Sequence, residues 1–215
     1  MKEFSKWTIE EVEEYFHITP LQSSLELTAW QTAEVVRAPQ EEAQLLKLCH
    51  SLQQHVNDWN EEELKLHFIS LLLHMVNYTH DQYHVFFERT LSVKIDGERL
   101  RGVVDCIIAQ GRRSPKRPYF CLHEYKQERH SSNDPLGQVT IAMVAAQRLN
   151  NDGKPVHGAY VVGRQWFFLV LQETSYALSL AYDATKEEDL YKIFSMLRYI
   201  KQRIQQELNL INTTG

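Results

Sequence analysis

Residues 98–126 read ERLRGVVDCIIAQGRRSPKRPYFCLHEYK, two β-rich runs separated by a polar, basic loop at 110–118. Residues 85–95 form another β-rich run, and Asp96-Gly97 between it and the next run is a strong signal for a hairpin turn. We therefore expect three successive strands, the first two of them joined as a hairpin.

The segments on either side extend this unit. Asn60 is predicted to cap a helix before the strands, and Asp134-Pro135 to open a small-residue helix that ends near residue 149. Further strands are predicted at 156–162, 166–172 and 176–182, with a closing helix at 186–208. The helix capped by Asn60 is predicted to have a buried face made of Leu64, Phe68, Leu71, Leu72 and Met75. This order predicts an α/β fold with a mixed β-sheet flanked by helices on both faces.

The sequence before residue 80 has helical periodicity throughout. Thr8 and Glu11 form a capping-box pattern, and Pro39 suits the first turn of a helix. An intervening apolar stripe contains Leu25, Ala29, Trp30 and Ala33. We expect residues 1–59 to form an N-terminal helical arm packed on a core of residues 60–215, the two making one compact unit.

The composition is that of an ordinary globular protein. The 215 residues are 43% hydrophobic and 24% charged, and no apolar run reaches the roughly 20 residues that span a bilayer. Neither a membrane span nor a signal peptide is predicted. The three cysteines lack CxxC spacing, and Cys106 and Cys121 lie in apolar runs, which indicates buried thiols in a reducing cytoplasm.

Charge is distributed unevenly along the chain. The net charge of −5 argues against a surface that binds nucleic acid everywhere. Residues 1–60 carry 4 Lys and Arg against 10 Asp and Glu, whereas residues 89–130 carry 10 against 5. Positive charge is thus concentrated around the predicted strands.

Three residues in these strands point to metal-dependent chemistry. Asp105 interrupts the apolar run VVDCII, where an unpaired carboxylate would cost several kcal/mol. Glu124 and Lys126 are two residues apart, so their side chains project from one face of the sheet. If the strands are neighbours, Asp105 and Glu124 can bind one Mg²⁺, with Mn²⁺ as a substitute. Lys126 would then lie beside the attacking water and the scissile phosphate.

At these residues the chain resembles the PD-(D/E)XK nuclease superfamily, whose motif is an Asp on the second core strand followed by Glu-x-Lys on the third. The resemblance covers residues 60–163, and Val104 stands where the motif has proline. It is most similar to the nuclease domains of type I restriction-enzyme motor subunits and to small orphan bacterial relatives. The resemblance implies a restriction-endonuclease-like core of order αβββαβ and metal-dependent hydrolysis of phosphodiester bonds.

The resemblance also implies two further site residues. Relatives often carry a Glu in the first core helix, for which Glu63 is the candidate with Glu61 and Glu62 as neighbours. They also often carry a Gln in the helix after the lysine strand, which here is Gln138. Glu63 equally suits a capping box, and Gln138 equally suits a solvent-facing first turn.

The basic loop has two interpretations. Its cations, Arg112, Arg113, Lys116 and Arg117, either contact DNA phosphates or are simply solvated. Arg164 has the same two interpretations, with a turn favoured over a phosphate contact. His123 is expected to pack under a helix, on the opposite face from Glu124.

Other catalytic classes find no support in the sequence. No Cys/His set has zinc spacing, and no GxGxxG, Walker A or GxSxG motif occurs. The leading hypothesis is a cytoplasmic Mg²⁺-dependent endo- or exodeoxyribonuclease of a defence or DNA-processing system. The alternative is a catalytically silent scaffold of the same fold that binds DNA or a partner protein. The sequence leaves open a partner subunit and a homo-oligomer.

Overall fold

The computed structural model describes residues 2–95, 97–129 and 134–210. A short 3₁₀ turn, Phe4–Lys6, precedes the first helix. The helices are α1 (Ile9–Phe16), α2 (Leu25–Gln31), α3 (Pro39–His55), α4 (Glu61–Leu64), α5 (Ser70–Val76), α6 (Pro135–Asn150) and α7 (Glu187–Glu207). The strands are β1 (Thr19–Leu21), β2 (Tyr83–Ile95), β3 (Glu98–Gln110), β4 (Lys116–Lys126), β5 (Val156–Val162), β6 (Gln165–Gln172), β7 (Ser175–Leu178) and β8 (Tyr182–Asp183).

The strands form one open, mixed sheet in the order β1-β7-β6-β5-β4-β3-β2, and β8 pairs with β6. The pairs β4/β5 and β1/β7 are parallel, and the other pairs are antiparallel. The chain is therefore α/β, with the predicted helices packed on both faces of the sheet. In the part of the chain that the structure describes, no helix is long and apolar enough to cross a membrane.

Each face of the sheet has its own hydrophobic core. Residues of α2, α3, α5 and α7 pack on one face, and residues of α1 and α6 pack on the other. On the first face, Trp30 links α2 to α7, because its buried Nε1 donates a hydrogen bond to the carbonyl of Met196 at 2.6 Å. On the second face, the Asp134 carboxylate links α6 to α1, because it accepts hydrogen bonds from the Gly137 amide in α6 and from the Ile9 amide in α1. Gly137 permits the close approach, since a Cβ there would lie 2.6 Å from the backbone of Thr8.

The helix before the sheet contains a wide turn that the sequence pattern did not indicate. A π-helical turn, Lys65–Ile69, joins α4 to α5, and the Ser70 amide donates to the Lys65 carbonyl five residues back. The extra residue moves the later buried positions one place along the chain. Leu71 is consequently 48% exposed and Met75 only partly buried, contrary to prediction. The buried face comprises Leu64, Phe68, Ile69, Leu72, Leu73 and Val76.

The N-terminal region departs from an all-helical arm. The Thr8–Glu11 capping box and Pro39 at the first turn of α3 are confirmed. Residues Thr19–Leu21, however, form a strand at the edge of the sheet, too short to produce a period of two. The prediction of an apolar stripe at Leu25, Ala29, Trp30 and Ala33 was also wrong in part. Its residues Leu25 and Ala29 are exposed in α2, whose buried side chains are Leu27 and Trp30.

The hairpin between β2 and β3 is confirmed, with Ile95 paired to Glu98. Asp96 of its turn lies outside the described residues, and Gly97 has the positive φ of 87° that such a turn requires. The largest differences from the predicted strand boundaries are in β4 and at 176–182. β4 begins at Lys116, inside the basic loop, and the predicted strand at 176–182 is divided into β7 and β8.

Candidate active site

Three carboxylates lie in a row across β2, β3 and β4. The β3/β4 register pairs Cys106 with His123, so the preceding residue, Asp105, lies opposite Glu124. On the other side of β3, Glu88 occupies the position opposite Asp105, between the paired residues of the β2/β3 ladder. Glu88 has a φ of 51°, a left-handed conformation that is unusual for a residue in a strand. Like charges directly opposite one another destabilise a sheet, so this row requires compensating cations.

Lys65 supplies the first of these cations from the π turn. Its Nζ lies 2.9 Å from Glu88 Oε1 and 3.1 Å from Asp105 Oδ1. The same Nζ lies 3.0 Å from Glu61 Oε1 and 3.2 Å from Glu62 Oε1, one turn earlier in the helix. The side chain of Lys65 is only 12% exposed. The ammonium group of Lys65 therefore connects the helical segment that contains α4 and α5 to strands β2 and β3.

Lys126 supplies the second cation. Its Nζ donates to Glu124 Oε1 at 2.6 Å and lies 3.7 Å from Glu61 Oε2. Glu61 thus contacts both lysines, one with each carboxylate oxygen. The backbone contributes as well, because the Tyr125 amide donates to Asp105 Oδ2 at 2.7 Å. These contacts fix both strand carboxylates of the predicted motif.

A groove of about 530 Å³ opens at this row, and Asp105, Glu124 and Lys126 form part of its lining. Gln138 reaches the groove from α6 and is 4% exposed, so it is buried at the site instead of facing solvent. Its Nε2 has no hydrogen-bond partner among the described residues. A buried donor without a partner is costly. Nε2 is itself covered, so a ligand in the groove could accept this hydrogen bond only after the Gln138 side chain turned toward it.

Burial and charge shift the pKa values of both acids upward. Burial, reinforced by the charge of Asp105, raises the pKa of Glu124 to about 7, although Lys126 opposes the shift. Burial also raises the pKa of Asp105, against the opposing effects of Lys65 and the Tyr125 amide. Burial lowers the pKa of Lys126, but Glu124 and the other acids outweigh it and the net shift is upward. Burial is thus the main cause of both upward pKa shifts, and the two lysines offset it only in part.

Glu63 is not brought to this cluster. Its carboxylate accepts from the Asn60 amide at 2.8 Å, and its own amide donates to Asn60 Oδ1 at 2.9 Å. This is the capping-box alternative, in which the side chain turns back to the helix start. Glu61 is the residue of the three neighbouring glutamates that contacts both lysines.

The basic loop lies away from the carboxylates. It begins at Gly111, six residues along β3 from Asp105, which corresponds to roughly 20 Å. Arg117 donates from Nη1 to the Leu149 carbonyl and lines a different cavity, together with Lys154. The cations Arg112, Arg113 and Lys116 are exposed.

The other two basic or titratable candidates have structural contacts. Arg164 follows Gly163 in the turn between β5 and β6, where its amide donates to Glu128 Oε2 at 2.9 Å. His123 is fully buried on the opposite face, with Nδ1 2.7 Å from the Tyr125 hydroxyl. Burial lowers the pKa of His123 to about 3. His123 is therefore a neutral core residue, as the sequence predicted.

Sequence reasoning missed Lys65 and Glu88. Lys65 follows Glu61 by four residues, a spacing that places both on one helix face and could have been noticed. Glu88 gives no comparable signal, because its orientation depends on a local left-handed conformation within β2.

The donor set is compatible with a hard divalent cation. Asp105 and Glu124 are two buried oxygen donors on adjacent strands, and Mg²⁺ typically uses one or two carboxylates together with water and substrate oxygens. Across residues 2–95, 97–129 and 134–210, no group of three or more His, Cys, Asp or Glu side chains is arranged to hold a metal ion. The ammonium groups of Lys65 and Lys126 lie among the carboxylates instead.

Comparison of the sequence with models of known protein families gave no match, and comparison with curated proteins gave none either. The functional argument therefore depends on the site itself.

The raised pKa of Glu124 predicts a pH-dependent stability. In the folded protein Glu124 binds its proton more tightly than in the unfolded chain, so wild type gains stability as pH falls through about 7. In EDTA, Glu124→Gln should therefore stabilise the fold at about pH 8.5, by about 2 kcal/mol or roughly 4–8 °C in Tm. Near pH 5 the gain should disappear. Thermal unfolding at both pH values tests this, and an equal effect at both would contradict it.

Proposed function

We propose that the protein is a metal-dependent deoxyribonuclease of the PD-(D/E)XK superfamily, with a restriction-endonuclease-like core. The observation that carries this proposal is the convergence of Asp105 and Glu124 on neighbouring strands, with Lys126 in contact with Glu124. The element order from α4 to β5 is consistent with the core order αβββαβ. Three free, buried cysteines are consistent with action in the cytoplasm.

In this proposal Asp105 and Glu124 hold Mg²⁺ or Mn²⁺. When bound there, the ion would supply positive charge at the scissile phosphate and would lower the pKa of a water. Lys126 stabilises the negative charge that develops on the phosphate and orients the water, while Gln138 donates its free Nε2 hydrogen to a substrate oxygen. Glu61 positions both lysines.

The solvent-facing side of the β2–β3 hairpin suits a DNA backbone. The opposed residues Lys94 and Arg99 are exposed on this side, as is Arg101, which lines the same groove as Asp105. Arg101 is four residues from Asp105, or roughly 13 Å along β3. We infer that DNA follows these three cations from the groove, and that the 110–118 loop contacts at most a more distant segment.

Salt dependence distinguishes the two basic surfaces. Replacing Lys94, Arg99 and Arg101 with alanine should reduce the slope of log affinity against log salt by about one unit for each lost phosphate contact. The matched variant, with alanine at Arg112, Arg113, Lys116 and Arg117, should change the slope less although it removes more charge. Fluorescence anisotropy with labelled duplex at several salt concentrations measures both. A larger change in the loop variant would place the DNA at the loop.

Incubation with Mn²⁺ and linear, circular or single-stranded DNA tests the activity itself. Cleavage of circular DNA indicates an endonuclease, and cleavage of linear DNA alone indicates an exonuclease. One observation favours the alternative of a silent scaffold. Among the described residues, no group of three or more His, Cys, Asp or Glu side chains is arranged to hold a metal ion. DNA binding without cleavage in any of these incubations, and without Mn²⁺ binding, would support the scaffold instead.

A further inference from the structure

Lys65 is the feature of the site that the motif does not explain. A metal-binding pocket with several carboxylates normally draws in cations until its charge is balanced. Here one of the cations is part of the chain, since Lys65 Nζ lies within 3.2 Å of oxygens from four acidic side chains. Glu62 is the most exposed of the four, at 80%. The other three are Glu61, Glu88 and Asp105.

The backbone is built to bring Lys65 to this position. The π turn begins at Lys65 itself, and such turns often occur at functional sites. Glu88, one of the partners of Lys65, adopts a left-handed conformation inside a strand, which is unfavourable for any residue other than glycine. Two local departures from regular structure thus meet at one ammonium group.

We infer that Lys65 acts as a built-in second cation, which restricts the site to a single divalent ion held by Asp105 and Glu124. This inference depends on the proposed metal site. Its basis is the charge of the cluster. Glu62 is 80% exposed, so water screens its charge, which adds little to the balance. With all four ionised, the carboxylates of Glu61, Glu88, Asp105 and Glu124 face the ammonium groups of Lys65 and Lys126, which leaves two formal negative charges. One divalent ion neutralises these two charges, and a second divalent ion would give the cluster a net positive charge, which is unfavourable.

Removing the charge of Lys65 should open a second ion position at Glu61, Glu88 and Asp105. In calorimetric titration with Mn²⁺, wild type should bind one ion and Lys65→Met should bind two. Lys47→Met, which removes an exposed lysine from α3, is the matched control and should bind one. Adding Glu88→Gln to Lys65→Met should return the stoichiometry to one.

The possible stoichiometries separate failure of this inference from failure of the proposed function. One ion in both wild type and Lys65→Met overturns the inference but leaves the metal site standing, and so do two ions in wild type. No ion in wild type overturns both.

A milder variant keeps the test valid if Lys65→Met does not fold. Glu88 is 53% exposed, so Glu88→Gln should fold, and in the wild-type background it should leave the stoichiometry at one and, through the loss of one nearby charge, lower Mn²⁺ affinity by less than tenfold. In our inference Glu88 contacts Lys65 and not the ion. A tenfold or greater loss of Mn²⁺ affinity in Glu88→Gln would make Glu88 a metal ligand and overturn the inference.

Discussion

Lys126→Ala is expected to lower DNA hydrolysis by on the order of a hundredfold or more, about 3 kcal/mol, while leaving fold and Mn²⁺ binding nearly intact. In the proposed mechanism Lys126 acts on the water and the phosphate and does not hold the ion. Removal of a group that acts only in the transition state lowers turnover without weakening ground-state binding. Mn²⁺ affinity should, if anything, increase, because Glu124 loses the ammonium group 2.6 Å from its Oε1.

Two controls make the Lys126→Ala result specific. Lys126→Arg should not restore activity, since a planar guanidinium cannot place a compact charge at the same point. Lys47→Ala removes an exposed lysine from α3 and should retain full activity. Equal trace activity in wild type and Lys126→Ala, with both Mg²⁺ and Mn²⁺, would identify that activity as contamination and favour the silent scaffold.

Much of the fold could be predicted because its determinants are local. The capping residues Thr8 and Asp134 and the turn residue Gly97 each satisfy a requirement of nearby backbone. Nearly continuous apolar runs bounded by turn residues likewise locate the central strands β4, β5 and β6. The edge strand Thr19–Leu21 could not be predicted, because its three residues form a strand only through pairing with β7, more than 150 residues away.

The cluster of charged residues on the sheet was predictable in part. Asp105 was recognisable because a carboxylate in an apolar strand needs a partner, and Glu124 and Lys126 because their spacing places them on one face. The choice between Glu61 and Glu63 depended on which carboxylate turns back to cap the helix. The contact between Lys65 and Asp105 depends on a π turn, which leaves no signature in residue periodicity until the buried face is seen to shift.

Asp105→Asn tests the metal site more directly than any other single substitution. Asparagine is nearly the same size, and its Oδ1 can still accept the Tyr125 amide hydrogen, so β3 and β4 should remain paired. Lys65 retains its contacts with Glu61, Glu62 and Glu88. The fold should therefore persist, as far-UV circular dichroism would verify.

The loss of the Asp105 charge should nevertheless remove most of the function. In the proposed site Asp105 provides one of only two carboxylate ligands, so Mn²⁺ affinity should fall at least tenfold, or about 1.4 kcal/mol. Hydrolysis should fall by a thousandfold or more, on the order of 4 kcal/mol, because the reacting phosphate would lose the positive charge that an ion held by Asp105 would supply, and Lys126 would act alone. The control is Glu62→Gln, which also removes one charge from the contacts of Lys65 but lies at an 80% exposed position. It should bind Mn²⁺ like wild type. If Asp105→Asn and Glu62→Gln titrate identically with Mn²⁺, only the general negative charge attracts the ion, and Asp105 is not its ligand.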